Sequence, residues 1–163
     1  MKIVLASNSK IRRKIASTFS SDIVFTSPTI NEELLKKQLG HLSPNELCYE
    51  LAKAKALSVS DYEDHIILGC DQICLLEDKI YSKPLNSEAA CNQLMELSNK
   101  THFLIGSYVF CKNKEIIYEE QVTSEMAMRS LSKQEIENYI ELDEPYNSCG
   151  AYKFEENGYK LFN

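Results

Sequence analysis

The sequence predicts an α/β fold, a twisted mixed β-sheet flanked by helices, and three observations lead there. Short apolar runs that read as strands alternate with amphipathic helical patterns through the first part of the chain. Two Ser-x-x-Glu boxes, Ser43 to Glu46 and Ser132 to Glu135, mark helix starts. A turn at Lys112-Asn113-Lys114 joins two extended stretches, which adds a hairpin and makes the sheet mixed. A length of 163 residues suits one core, so residues 1–163 are expected to form a single domain.

Ile3 to Ala6 form a short apolar strand, and Ser7-Asn8-Ser9 a polar loop in which Ser9 is placed to cap a helix. Ile11, Ile15 and Phe19 recur every four residues and predict a short amphipathic helix to about residue 20. Asp22 to Thr26 read as a second strand, and 28–42 as a long connection with a helical turn near 32–39. A loop of that length in a small domain is more often functional than idle. Ser43-Pro44-Asn45-Glu46 opens a helix that Leu47, Leu51, Ala54 and Leu57 continue. A strand over 66–76, a turn at 77–79 and an extended Ile80-Tyr81 follow. Asn86 or Ser87 caps a helix to about 98 with Ala90, Leu94 and Leu97 inward. Residues 102–112 are a strand. Residues 115–128 alternate, with Ile116, Tyr118, Val122, Met126 and Met128 on one parity. The last helix turns Ile136, Tyr139 and Ile140 inward, and 143–163 is mostly turn-like.

A formal net charge of -6 argues against a nucleic-acid surface and an anionic membrane partner, but not against one small anion in a local basic pocket. No apolar run approaches the roughly 20 residues needed to span a bilayer, and the N-terminal run stops too soon for a signal peptide. The expectation is a cytoplasmic protein. Its six cysteines and three histidines lack the spacing of a zinc site or a Cys-x-x-Cys pair.

The stretch Ile66 to Pro84 carries the most information. Asp71 and Gln72 sit between two apolar runs, and a buried carboxylate left unpaired costs several kcal/mol, on the order of the cost of a lost charge partner. Asp71 therefore needs a metal, a cation or convergent donors. It is equally readable as a structural aspartate bonded to backbone. Three features point to phosphate. Ser7 and Ser9 offer hydroxyls at a helix start, where free N–H groups favour an anion. Arg12 and Arg13 stand at that same end, unfavourable for the helix dipole but suited to an oxyanion. Lys83, before Pro84, is held in extended geometry. Asp71, Glu32 and Glu88 are nearby acids in this reading, with Lys55 a further cation. Polyphosphate hydrolysis uses a hard divalent ion, a base for water and cations for the leaving group. Glu88 also reads as an ordinary first-turn acid, and Lys53 and Lys55 as solvated lysines.

The segments LASNSKIRRKI (5–15), LAKAKA (51–56), ILGCDQICLLEDKIYSKPLNSEAA (67–90) and NSCGAYKFE (147–155) resemble the Maf family of nucleoside triphosphate pyrophosphatases, in its 7-methyl-GTP branch. The resemblance implies a Maf/ITPase-like architecture with a central cleft. It implies cleavage between the α and β phosphates, dependence on Mg2+ or Mn2+, and a homodimer as an allowed partner state. It places the catalytic residues at Asp71, Glu32 and Lys83, with Asp71 and Glu32 as metal ligands. It assigns substrate binding to Ser7, Arg12, Arg13, Lys55, Gln72 and Lys153. Gln72 stands where this branch carries Gln and the dTTP/UTP branch Thr, with Cys149 to Lys153 on the base side. A dTTP or UTP pyrophosphatase and a nucleotide-binding protein without catalysis are the alternatives. Lys10, Asn31, Ser82, Asn147 and Ser148 depart from the family pattern. The family's final helix and its approach segment are expected to be missing.

Overall fold

The computed structural model of the chain describes residues 2–62 and 64–163. Its strands are β1 (Ile3–Ala6), β2 (Val24–Thr26), β3 (Ile66–Leu76), β4 (Lys79–Tyr81), β5 (Thr101–Lys112) and β6 (Glu115–Ala127). Its helices are α1 (Lys10–Phe19), α2 (Glu32–Gln38), α3 (Pro44–Leu57), α4 (Ser87–Leu97) and α5 (Lys133–Asp143). Two 3-10 turns, Cys149–Ala151 and Gly158–Leu161, lie in the final segment. The strand order is β2-β1-β3-β5-β6, with β4 paired to β3. β1 runs parallel to β2 and β3, whereas β4 is antiparallel to β3, so the sheet is mixed as expected. Asn113 and Lys114 both have positive φ, the backbone of a two-residue turn whose twist matches the strands β5 and β6 on either side.

The chain divides into two compact units, Met1–Asp71 with Gly106–Val122, and Gln72–Ile105 with Thr123–Asn163. Strands β3, β5 and β6 each contribute residues to both. The first unit is built on Val4, Ala6, Ala52, Ala56, Ile67 and Val109, which bring α3 onto β1 and β3. Gly69 is what allows this approach. A Cβ there would stand 2.2 Å from the Ala52 carbonyl oxygen and 2.5 Å from the Ala56 nitrogen. Only glycine, opposite two alanines of α3, lets helix and strand backbones come so close. The second unit buries Leu94 and Leu97 of α4 against Ile136, Tyr139 and Ile140 of α5, the inward residues that periodicity predicts.

Both predicted capping boxes are present, at Ser43–Glu46 and Ser132–Glu135. Helix α2 begins where a helical turn is expected, capped by the Asn31 side chain, which accepts from the Leu34 N–H at 3.0 Å. Two expected elements form without burying an apolar face. The Ile11-Ile15-Phe19 stripe does not dock α1: Ile15 is 44% and Phe19 80% exposed, and no residue of the helix is buried. Arg12 and Arg13 fasten it instead, donating to main-chain carbonyls of the sheet and of the loop after β1. The alternation along β6 likewise buries no face. The strand is exposed from Glu115 to Glu125. Near its end Met126 packs half-buried against the core, and Met128 just beyond is buried in it.

Candidate active site

The acid–base cluster belongs to the first unit, and local structure brings its parts together. The parallel register sets Ala6 opposite Thr26 on one side and Gly69 on the other. The loop leaving β1 therefore starts beside the end of β2 and two residues before Asp71. Ser7, 3% exposed, donates its N–H to the Thr26 carbonyl at 2.9 Å. Its hydroxyl accepts from the Ser9 N–H at 3.2 Å, and the Ser9 hydroxyl caps α1 by accepting from the Arg12 N–H at 3.3 Å. The Arg13 Nε donates to the Ser7 carbonyl at 2.8 Å and its Nη2 to the Thr26 carbonyl at 3.4 Å, with the guanidinium 5.8 Å from the centre of the Phe25 ring. Arg12 Nη1 donates to the Cys70 carbonyl at 2.9 Å, one residue before Asp71. The two arginines therefore stand at the helix start and tie the Ser7 loop to β2 and β3.

Lys55, in the last turn of α3, is the centre of the cluster. Its Nζ lies 2.5 Å from Asp71 Oδ1 and 2.9 Å from Glu32 Oε2. The Lys55 and Asp71 side chains are each 7% exposed and that of Glu32 31%. The other Glu32 oxygen, Oε1, pairs with Lys36 Nζ at 2.7 Å. The contact between Gly69 and the alanines flanking Lys55 sets the height of the lysine over Asp71. Burial alone would lower the Lys55 ammonium, but Asp71 and Glu32 outweigh it, and the group is held above its ordinary value. Burial would raise Glu32. Lys55 and Lys36 oppose that and bring it down to about 2. A carboxylate held so low is a weak base, so Glu32 is suited to holding a cation rather than taking a proton from water.

Among the described residues no group of three or more His, Cys, Asp or Glu could hold a metal ion. The donor set fits a divalent ion of the kind that takes one or two carboxylates and completes its shell with phosphate oxygens and water. Asp71 and Glu32 are the carboxylates that could serve.

The remaining expected site residues lie in the second unit. Lys83 is exposed in the segment between β4 and α4. Gln72 is exposed on β3, and its Nε2 donates to Cys149 Sγ at 3.6 Å. Strand alternation turns Gln72 to the sheet face opposite Asp71, so the two neighbours in sequence do not share a face. The Lys153 ammonium donates to the Asp143 carbonyl at 2.5 Å and pairs with Glu156 at 3.2 Å, within a turn where Asp143 also accepts from Asn157. Gly150 has φ 75, and a Cβ there would stand 2.8 Å from Cys74 Sγ. The Tyr152 hydroxyl lies 2.9 Å from Nε2 of the fully buried His102. Sequence reasoning missed Lys36, although its spacing four residues after Glu32 is a readable helical pair. It also missed the Cys149 contact and the His102–Tyr152 pair, which link residues far apart in the chain and leave no local pattern. Cys48, Cys70, Cys74 and Cys111 are buried and none is in a disulfide. Burial pushes the Cys48 thiol up to about 11, so it packs as a small hydrophobe.

A mixed α/β sheet with a buried lysine–dicarboxylate cluster beside a cation-bearing helix start defines a protein built to handle an anionic substrate. The family model for Maf-like proteins matches residues 2–163, and the chain belongs to that family. A protein of Legionella pneumophila (strain Philadelphia 1) named nucleoside triphosphate pyrophosphatase is 37% identical over 161 residues, covering 98% of this chain and 80% of the relative. A 7-methyl-GTP pyrophosphatase of Bdellovibrio bacteriovorus is 34% identical over 162 residues, covering 99% and 83%. One of Aliivibrio fischeri is 37% identical over 166 residues, covering 99% and 82%. Among solved structures, the Ham1 protein of Staphylococcus aureus superposes with a TM-score of 0.51 at 14% identity, over 97% of this chain and 90% of that one. That is a likeness of fold alone.

Proposed function

We propose that this chain hydrolyses 7-methyl-GTP, or a closely related purine nucleoside triphosphate, to the monophosphate and pyrophosphate. As a member of the Maf family it is a nucleoside triphosphate pyrophosphatase, a hydrolase of the phosphoanhydride bond. The observation that carries the reading is the Lys55 ammonium bridging Asp71 and Glu32, beside the Ser7 loop. Asp71 orients a water and accepts its proton as the water oxygen bonds to the α-phosphorus. The bond from that phosphorus to the α–β bridging oxygen breaks, and pyrophosphate leaves with the electron pair. Lys55 and Arg12 stabilise the charge on the departing phosphates. Arg13 and Ser7 keep the loop at the helix start in shape. Asp71 and Glu32 would hold Mg2+ or Mn2+, which when bound polarises phosphate oxygens.

The finer substrate choice draws on two relatives named for 7-methyl-GTP, against a relative of similar identity with the broader name. A panel of 7-methyl-GTP, GTP, dTTP, UTP and ITP with Mg2+ or Mn2+, reading monophosphate and pyrophosphate separately, tests it. Preference for dTTP or UTP moves the chain to the pyrimidine reading. Nucleotide binding with no pyrophosphate at any metal concentration moves it to the non-catalytic one. Asp71→Asn is expected to lower pyrophosphate release at least 100-fold, the scale of a lost general base. Its stability should fall by only about 1 kcal/mol, because the amide oxygen still accepts from Lys55. Retained turnover in that variant removes Asp71 from the reaction.

A further inference from the structure

The Lys55 ammonium occupies the space between the Asp71 and Glu32 carboxylates. Its Nζ touches Asp71 Oδ1 and Glu32 Oε2 at once, and Lys36 takes the second Glu32 oxygen. Two carboxylates therefore face two ammoniums, and the cluster offers no net negative charge to a free divalent cation. Asp71 and Lys55 are nearly closed to solvent, with side chains 7% exposed, so water does little to screen the ammonium.

We propose that the Lys55 ammonium is a resident stand-in for the metal, so that Asp71 and Glu32 admit Mg2+ or Mn2+ only together with the polyphosphate. The inference rests on the reading of those carboxylates as metal ligands and adds an order of binding to it. A triphosphate brings what the cluster by itself lacks. Its oxygens give the Lys55 ammonium another partner, and they complete the oxygen shell that one or two carboxylates cannot fill. Its negative charge also offsets the two ammoniums. A metal bound without substrate would gain none of these. This arrangement keeps the site from being loaded by cation alone, and it makes metal and nucleotide binding mutually reinforcing, as linkage between two ligands requires.

The test measures binding, not turnover. Mn2+ is titrated into the wild-type protein and followed by the electron paramagnetic resonance of the free ion. Binding of a GTP analogue with a methylene between the α and β phosphates is followed by calorimetry, with and without Mn2+. The wild type alone is expected to leave Mn2+ free up to about 1 mM, and the analogue to bind at least tenfold tighter with Mn2+ than without, the lower end of ordinary coupling being about fivefold. Lys55→Met is expected to take up Mn2+ by itself at least tenfold more tightly than the wild type. Lys55→Gln, which keeps a hydrogen-bond donor for Asp71, gives the same direction if the methionine variant folds poorly. Tight Mn2+ binding by the wild type alone, lost in Asp71→Asn, overturns the stand-in role and leaves the metal reading intact. Analogue binding that is indifferent to Mn2+ in every protein overturns both.

Discussion

Replacing Lys55 by methionine isolates the energetics on which the cluster depends. The side chain keeps its length and loses its charge, so the aliphatic stem still lies against β3. Glu32 retains Lys36 at 2.7 Å and about a third of its exposure, so it is little affected. Asp71 is different: its side chain is 7% exposed and Lys55 is its only ion-pair partner among the described residues. Removing one partner of a buried pair costs about 3–5 kcal/mol. Urea denaturation should therefore show the variant about 3–5 kcal/mol less stable than the wild type at pH 7.5. A loss below about 1 kcal/mol would refute the reasoning.

Two further outcomes follow from the packing. Gly69→Ala drives a Cβ to 2.2 Å from the Ala52 carbonyl, so α3 must lift from β3. A loss of about 3 kcal/mol or more is expected, at the upper end of overpacking, with pyrophosphate release falling alongside it; a melting temperature within about 2 °C of the wild type contradicts it. Acid should weaken the fold in two stages. Burial pushes His102 down to about 4, so the neutral ring stabilises the native state above the ordinary value of 6.5 and loses that contribution as pH falls from 6.5 to 4, up to about 3 kcal/mol. Glu32, lowered to about 2 by Lys55 and Lys36 against burial, contributes above 4.5 and loses its share between 4.5 and 2, on the order of 1 kcal/mol after solvent screening. Urea midpoints measured against pH should flatten between 6.5 and 4 in His102→Gln; an unchanged slope there assigns the acid sensitivity elsewhere.

The elements themselves were legible because their signals are local. Ser43 and Ser132 cap the helices that they announce, and the apolar run at 66–76 is strand β3. Ala90, Leu94 and Leu97 face inward because a 3.6-residue period leaves them no other side. The sheet's mixed character follows from alternating elements and one hairpin. The candidate residues Ser7, Arg12, Arg13, Glu32, Lys55 and Asp71 could likewise be named from their motifs. Their partners could not. That Arg12 and Arg13, rather than Ile15 and Phe19, fasten α1 is decided by main-chain carbonyls that another strand supplies. That β6 buries no face depends on what packs over it, which no alternation encodes.

The chain's own order of residues thus determined its helices, its strands, its family and the chemical types at its site. Tertiary structure decided which charges meet. Lys55 lies 16 residues from Asp71 in sequence, and its ammonium reaches that carboxylate only because Gly69 admits two alanines of α3 against β3. The physical reason is range: helix periods and caps act over a few residues, whereas a charge pair is settled by how closely two packed backbones can approach.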